Sequence, residues 1–153
     1  WGNLVGYCTL DLPKLKDDDP LEYIRRVKST MDKKKLSYNP KIQHIFIRLV
    51  MRLFGVKAAA EVTRRTFTQL TIGASNVVGP AEEVILFGHP VNYIAPTVRG
   101  FPLALVIHYH SYGKKLVISL SVNEEVIPDP HELCDYIQKA LESAKESVVK
   151  SGL

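Results

Sequence analysis

Hydrophobic and polar positions follow two different periods along this chain, and the change of period separates predicted helices from predicted strands. Residues 3–12 alternate and predict a first strand. Two segments with helical spacing come next, opened by Asp-Pro at residues 19–20 and by Asn-Pro at residues 39–40. Such pairs are typical of helix N-termini, and Glu22 completes a capping box with Asp19. The first of these helices is predicted to bury one stripe of side chains: Leu21, Ile24, Val27 and Met31.

The second helix is predicted to break or kink at Gly55, and the alanines at residues 58–60 continue it briefly. Strand patterns dominate residues 67–122. A two-sided alternation around residues 111–114 predicts a hairpin, and a final Asp-Pro-x-Glu cap at residues 129–132 begins a last helix. The predicted strands of this second part are residues 67–74, 84–87, 91–94, 103–110 and 115–122.

This order of elements predicts an α/β fold, arranged as a two-layer sandwich with a mixed or antiparallel sheet and helices on one face. The length of 153 residues fits a single domain over residues 1–153, or one half of a larger two-domain enzyme. Because the chain begins with Trp1 and no targeting segment precedes the first strand, we expect an excised piece of a longer protein.

Composition narrows the classes of function. With 46% hydrophobic and 24% charged residues, the chain is typical of a soluble globular protein, and no run is apolar enough to span a membrane. Cys8 and Cys134 lie in apolar patterns, so we expect buried, reduced thiols. No cluster has the spacing of a zinc site, so the sequence predicts no metal and no bound cofactor.

Charge is distributed unevenly along the chain. Residues 1–70 hold 14 Lys and Arg against 7 Asp and Glu, whereas residues 71–153 hold 6 against 9. A basic half favours phosphate-bearing ligands or an anionic membrane, but it is more often simply a solvated surface. Nucleic acid fits poorly, because no aromatic residues lie between Arg25, Arg26, Lys28 and the lysines at 33–35.

One hexapeptide is the candidate binding site: Ser75, Asn76, Val77, Val78, Gly79 and Pro80. Its serine and asparagine directly follow the predicted strand at residues 67–74, and its Gly-Pro step favours a sharp turn. A hydroxyl and an amide presented at a strand end suit an oxygen that gains negative charge during acyl transfer. The alternative is a polar strand end that starts a tight turn.

Histidines provide the other candidates. His108 and His110 lie two apart on a predicted strand and therefore face the same side, but no third metal ligand is placed by the sequence. A polar sheet face or a substrate tunnel explains them as well. We expect a turn role for His89 and a solvent-facing position for His131. The apolar helix at residues 40–54 could pack in the core or lie on a membrane surface.

Several ordered motifs together resemble the C-terminal third of the plant-type wax ester synthase/diacylglycerol acyltransferases. The resemblance covers nearly the whole chain. Its motifs are Trp1-Gly2-Asn3, residues 75–83 (SNVVGPAEE), residues 87–90 (FGHP), residues 93–96 (YIAP) and residues 127–134 (IPDPHELC).

The resemblance implies a fold like that of chloramphenicol acetyltransferase, in which two α/β halves form a tunnel for acyl-CoA and for a long-chain alcohol or diacylglycerol. Within such an enzyme, our hypothesis is that Ser75 and Asn76 help to hold the oxyanion or order the substrate near it, and that Val77, Val78 and Pro80 line the tunnel. Arg25, Arg26 and Lys28 could meet the phosphates of coenzyme A, although a solvated surface explains them too. The family's general base belongs to a His-His-x-x-x-Asp-Gly motif in the N-terminal half. This chain has no His-His pair, so we expect an absent N-terminal catalytic domain as its partner and no activity from the chain alone.

The family also implies a peripheral location on the cytosolic side of the endoplasmic reticulum or plasma membrane. Two other functions remain open at this point. One is a non-catalytic module that binds lipid or a protein partner, and the other is a peripheral membrane-binding domain. Because half of a two-lobed enzyme lacks its covering lobe, we expect exposed apolar surface.

Overall fold

The structure is a computed structural model that describes residues 7–12, 19–37, 39–98 and 100–152, without the side chains of residues 39 and 40. The described helices are α1 (Pro20–Lys35), α2 (Asn39–Phe67) and α3 (Pro130–Ser151). The described strands are β1 (Ile72–Val78), β2 (Ile85–Leu86), β3 (His89–Pro90), β4 (Leu105–Tyr112) and β5 (Lys115–Val122). These elements confirm the α/β class.

Helix α1 begins where the sequence predicts. Asp19 is its N-cap, and Oδ1 of Asp19 accepts a hydrogen bond of 2.9 Å from the backbone N of Leu21. The lysines in its last turn place positive charge at the negative end of the helix dipole, which stabilises the helix. The predicted buried stripe is wrong, because no residue of α1 is buried and Ile24 is 46% exposed.

Helix α2 contains the predicted kink. Gly55 has φ 83° and ψ 174°, a conformation that is almost restricted to glycine. The helix then continues further than predicted, as far as Phe67. Its last turns carry Glu61, whose carboxylate accepts hydrogen bonds of 2.8 Å from both Arg64 and Arg65. These i,i+3 and i,i+4 pairs stabilise the last turns of α2, which ends at the residue where the sequence pattern predicts the start of a strand.

Two compact units divide the chain. One comprises Trp1–Ala60 with Glu132–Leu153, and the other comprises Glu61–His131. The first holds α1, most of α2 and most of α3; its Lys34 Nζ donates to the carbonyl oxygen of Thr9 at 2.5 Å. The second holds every described strand. The predictions of a single domain and of helices on one face remain predictions.

The main sheet has three strands in the order β1-β4-β5. Strand β4 is central, parallel to β1 and antiparallel to β5, which confirms a mixed sheet. The β4–β5 hairpin is confirmed, but its loop is shorter than predicted because Tyr112 pairs with Lys115. Gly113 in this loop has φ 56°, as two-residue hairpin turns require. The described elements are consistent with the predicted two-layer sandwich.

Two strand predictions are wrong in the described residues. Residues 7–12 form no strand, and the rest of the predicted segment 3–12, together with the Trp1-Gly2-Asn3 motif, lies outside the described residues. Residues 91–94 also form no strand. Instead β2 and β3 form a small hairpin whose turn is Phe87 and Gly88, with φ 50° and 80°. His89 therefore belongs to a strand, where it pairs with Leu86.

Burial is concentrated in the second unit. Within the described residues, β4 supplies most of the buried side chains, which are Leu105, Val106, His108, His110 and Tyr112. Because a central strand has a neighbouring strand on each side, its side chains have the least contact with solvent. The prediction that the thiols are buried is wrong, because Cys8 and Cys134 are free and exposed.

Candidate substrate site

The candidate hexapeptide lies partly inside β1 rather than after a strand. Because α2 extends to Phe67, the strand begins at Ile72, five residues later than the predicted start at residue 67. Ser75 and Asn76 therefore take part in the ladder with β4, where they pair with His108 and Tyr109. The prediction of a serine and asparagine just beyond a strand is wrong.

This position separates the two donors. Successive side chains of a strand point to opposite faces of a sheet. Ser75 and Val77 therefore share one face, whereas Asn76 and Val78 share the other. Ser75 is half-buried and Asn76 is exposed. Any single site next to β1 receives only one of these polar side chains.

The Gly79-Pro80 end of the hexapeptide is attached to the β4–β5 hairpin. The backbone N of Gly79 donates to Oγ of Ser111 at 3.2 Å, and the carbonyl oxygen of Pro80 accepts from the backbone N of Gly113 at 2.9 Å. A Cβ on Gly79 would lie 2.5 Å from Nε2 of His110 and would also collide with the carbonyl oxygen of Ser111. Glycine is therefore required here by close approach.

Strand pairing places a polar row across the three-stranded sheet. Ser75 on β1 pairs with His108 on β4, and His108 pairs with Ser119 on β5. Paired residues point to the same face, and neighbouring strands are about 4.8 Å apart. We call the surface formed by Ser75, Val77, Val106, His108, His110 and Ser119 the histidine face. The sequence prediction that the two histidines share one side is confirmed.

The polar groups of the histidine face are buried and unpartnered. His108, His110 and Ser119 are only 6%, 8% and 9% exposed. Nε2 of His108, both ring nitrogens of His110 and Oγ of Ser119 have no hydrogen-bond partner. Burying such groups without a partner costs free energy, so native proteins rarely leave several together. Within the described ranges, no three His, Cys, Asp or Glu side chains are grouped to hold a metal ion.

An open cleft of about 1080 Å³ lies beside this face, at the end of the sheet where β4 begins and β5 ends. Its walls combine apolar side chains, among them Phe101, Leu103 and Val106, with polar ones, among them Asn123, Glu124 and Glu125. Val106 pairs with Ser121, which also lines the cleft, and this pair is the next one along the histidine face from His108 and Ser119. None of the six hexapeptide residues lines the cleft.

Tyr112 fixes the segment that connects β1 to β4. Its hydroxyl accepts from the backbone N of Val84 at 2.8 Å and donates to the carbonyl oxygen of Val91 at 2.7 Å. Tyr112 lies on the same side of β4 as His108 and His110 and is 4% exposed. The β2–β3 hairpin is thereby held at the end of the sheet where β4 ends and β5 begins, on the same side as the histidine face.

Arg26 and Lys28, two of the three basic residues considered for the phosphates of coenzyme A, pair with acidic neighbours on the exposed surface of α1. Arg26 lies 4.0 Å from Glu22, and Lys28 Nζ lies 2.7 Å from Oδ2 of Asp32. The hydrogen bond and charge of Asp32 raise the pKa of Lys28, and Lys28 in turn lowers the pKa of Asp32. Such pairs are typical of a solvated helix surface. They give no support to a coenzyme A phosphate site on α1.

Sequence reasoning missed Ser119. Nothing in its neighbours indicates chemistry, and its significance comes only from its register with His108 across the hairpin. A two-residue turn at Gly113-Lys114, had it been assumed, would have given this register.

None of the helices in the described ranges combines the length and apolar character needed to cross a bilayer.

Comparison with known proteins identifies relatives over almost the whole length of the chain. The sequence model of the WS/DGAT C-terminal domain matches residues 1–145. Wax ester synthase/diacylglycerol acyltransferase 11 from Arabidopsis thaliana is 42% identical over all 153 residues of this chain, which cover 32% of that relative. Wax ester synthase/diacylglycerol acyltransferase 3 from the same plant is 44% identical over 153 residues, which cover 31% of it.

The chain thus spans about a third of the length of these curated relatives. No solved structure matches it. The family prediction is confirmed: this chain belongs to the WS/DGAT C-terminal domain family.

Proposed function

We propose that this chain is the C-terminal domain of an enzyme that transfers a fatty acyl group from acyl-CoA to a long-chain alcohol or a diacylglycerol. The products would be wax esters or triacylglycerols. The observation that carries the proposal is family membership over residues 1–145, together with relatives named for both activities. The proposed fold of the whole enzyme is two α/β halves around a tunnel, with this chain as one wall.

The proposed reaction is direct transfer without a cofactor, with acyl-CoA as co-substrate. A histidine of the N-terminal part removes the proton of the acceptor hydroxyl, and the resulting alkoxide attacks the thioester carbonyl. The tetrahedral oxyanion then collapses and expels the thiolate of coenzyme A. Because this chain has no His-His pair, the base comes from outside it, and we expect the chain alone to be inactive.

For the residues of the hexapeptide, the split between two faces favours a narrower role than the sequence suggests. We place Ser75 toward the reacting carbonyl, because its face also carries the unpartnered histidines. A preorganised hydroxyl can donate to a developing oxyanion. Val77 shares the face of Ser75 and supplies apolar wall, while Gly79 and Pro80 fix the strand end against the hairpin. Asn76 and Val78 point away from this site.

A chimaera tests the proposal. In a full-length relative that is 42% identical, the matching C-terminal third is replaced by this chain. We expect the chimaera to form wax ester or triacylglycerol from labelled acyl-CoA. The same relative truncated before the replaced region, and this chain alone, should form neither.

Two results would contradict the proposal. One is a folded, monodisperse chimaera without transferase activity toward either acceptor class. The other is robust esterification by the 153 residues unaided, which would place a general base within this chain.

A second candidate is a non-catalytic module that binds lipid or a partner domain. It is favoured by the large apolar side chains exposed along α2, among them Ile45, Phe46 and Phe54 at 65%, 51% and 72% exposure. Exposed apolar surface of this kind marks interaction sites. Under either function we propose a peripheral position on the cytosolic side of the endoplasmic reticulum or plasma membrane. Flotation with liposomes, with and without anionic lipid, tests this; failure to float under both conditions contradicts it.

A further inference from the structure

The turn of the β2–β3 hairpin carries a residue that the turn itself disfavours. Phe87 and Gly88 are its two central positions, and both have positive φ, 50° and 80°. Type I′ turns have this property and favour asparagine, aspartate or glycine at the first position. Among the described residues, Phe87 is the one non-glycine with positive φ. A bulky side chain in this conformation is strained, so the hairpin does not need phenylalanine in order to fold.

The ring of Phe87 also gains almost nothing from packing within this chain. It is 94% exposed, the highest value of any large apolar side chain in the described part of the chain. Ile85 and Leu86 precede it at 70% and 57% exposure. We call these three residues the hairpin tip. Three consecutive exposed apolar residues on a strained turn are typical of a surface that serves contacts outside the chain.

The hairpin that presents this tip is fixed to the main sheet. At its base the backbone N of Val91 donates to the carbonyl oxygen of Val84 at 2.9 Å, and the hydroxyl of Tyr112 bonds to both residues. Lys115 Nζ donates to the carbonyl oxygen of Asn92 at 3.1 Å and to its Oδ1 at 2.5 Å. A segment that is already held in place loses little conformational freedom on binding, which favours a docking role.

The surroundings of the hairpin tip favour a protein partner over a membrane. Membrane-binding surfaces set Lys and Arg around their apolar residues. From residue 66 to residue 98 the chain has neither, and its charged residues there are Glu82 and Glu83, both exposed. Lys115, bound to Asn92, is the cation that the described contacts bring to the hairpin, and the two carboxylates outnumber it. An apolar pocket with a polar rim, as at protein interfaces, therefore fits the tip.

The length of the relatives indicates which protein supplies this pocket. The chain covers 32% and 31% of the two relatives described above, so most of such a polypeptide lies outside this structure. We propose that Phe87 is an anchor whose ring inserts into an apolar pocket on the N-terminal part of the same polypeptide. The inference rests on the proposed function, in which this chain is one domain of a longer enzyme. It gives a role to the motif at residues 87–90, which the proposed reaction does not use.

Hydroxyl-radical footprinting measures whether the ring is covered. The 153-residue chain is compared with the full-length chimaera. We expect Phe87 to be modified about tenfold more slowly in the chimaera, because anchor side chains lie in desolvated pockets. Vesicles of equal parts phosphatidylcholine and phosphatidylserine, or a higher concentration of the chain, should leave its rate in the chain alone unchanged.

Two footprinting results would overturn the inference. One is an equal rate for Phe87 in the chain and in the chimaera. The other is protection of Phe87 in the chain alone, by vesicles or by raised concentration, that is as strong as in the chimaera. The first would leave the tip in solvent, and the second would assign it to a bilayer or to a second copy of the chain.

Substitution of Phe87 should act in opposite directions in the two proteins. Phe87→Asn suits the positive φ and should raise the melting temperature of the chain alone by about 2–4 °C. In the chimaera it removes the anchor and should lower the melting temperature by about 2–4 °C. Phe54→Asn is the matched control, because Phe54 is 72% exposed but lies in α2. It should not raise the melting temperature of the chain.

A higher melting temperature of both proteins with Phe87→Asn would contradict the anchor. Equal increases from Phe87→Asn and Phe54→Asn in the chain would show that loss of an exposed ring, and not relief of the turn, is the cause. If the chain alone unfolds without a cooperative transition, the melting temperature of the chimaera and the footprint of Phe87 within it decide the question.

The two proposals fail differently. A folded chimaera that lacks transferase activity but protects Phe87 refutes the acyltransferase function and leaves the docking contact. An active chimaera in which Phe87 reacts as fast as in the chain alone refutes the docking contact and leaves the acyltransferase function.

Discussion

Gly79 lies directly against the imidazole of His110: a Cβ built on Gly79 would come within 2.5 Å of Nε2. The glycine belongs to the hexapeptide that most resembles the family, and the histidine belongs to the buried face of β4. The contact explains the glycine without a left-handed backbone, since only a residue lacking Cβ permits β1 to end so close to β4. It also couples the hexapeptide physically to the histidine face.

Gly79→Ala is therefore expected to lower the free energy of unfolding by about 1–3 kcal/mol, the usual cost of overpacking. The obstacle includes the backbone carbonyl of Ser111, which cannot move aside as a side chain can. Gly73→Ala in the same strand is the matched control. Its Cβ would meet the flexible Cδ1 of Leu103 at 2.9 Å, so the loss should be smaller. Urea denaturation measures both, and a larger loss at Gly73 would contradict the argument.

Ser75→Ala and Asn76→Ala should have different effects in the active chimaera. Removal of an oxyanion donor typically costs about 10²–10³ in kcat. We expect a decrease approaching this range for Ser75→Ala, and a change within about twofold for Asn76→Ala, because its side chain leaves the opposite face. Steady-state kinetics with saturating acyl-CoA gives the comparison. A turnover number of Ser75→Ala within about twofold of the parent would remove the proposed role.

Tyr112→Phe should destabilise the segment between β1 and β4. The hydroxyl bonds to both Val84 and Val91, and its removal leaves a half-buried N–H and C=O without their partner. We expect a loss of about 1–3 kcal/mol in urea denaturation and faster amide exchange at Val84. Tyr93→Phe is the control, because Tyr93 is 61% exposed and should be insensitive. Unchanged exchange at Val84 would contradict the bridging role.

Glu61 gives a pH prediction for the end of α2. Hydrogen bonds from Arg64 and Arg65 lower the pKa of its carboxyl from 4.5 to about 2. A group whose pKa is lower in the folded state stabilises that state above its unfolded pKa and loses this contribution as pH falls. The stabilisation should therefore be complete above about pH 4.5 and disappear toward pH 2. Carboxyl ¹³C NMR measures the titration directly.

Glu61→Gln should remove this pH dependence and loosen the last turns of α2 at neutral pH. Backbone amide shifts of residues 61–67 report the loosening. A Glu61 carboxyl that titrates near 4.5 would show that the two guanidinium contacts do not persist in solution.

Much of the fold can be predicted from local signals in the sequence. Asp19-Pro20 begins a helix because the aspartate caps it and proline suits the first turn. Gly55 kinks α2 because glycine alone adopts its backbone angles at low cost. The β4–β5 hairpin results from strict alternation on either side of a glycine-containing turn.

The errors lie where a local pattern competes with longer-range contacts. Residues 67–71 look like strand, yet α2 ends at Phe67, whose ring packs at 4.9 Å from that of Phe101. Residues 91–94 look like strand, yet Val91 is bound to Val84 and Tyr112 instead of a sheet neighbour. In both places partners distant in sequence determine the outcome, and periodicity carries no information about them.

The sequence alone determined the family, the helix starts and the hairpin, because caps, turns and ordered motifs act over a few residues. Only the tertiary structure decided that Ser75 and Asn76 face apart and that Ser119 joins His108 in one buried row. Strand register sets both relationships, and a shift of one residue reverses every side chain of a strand. The register of β1 with β4 depends on pairing across a long stretch of chain, and the register of β4 with β5 depends on the length of the turn between them, which the sequence pattern placed over four residues.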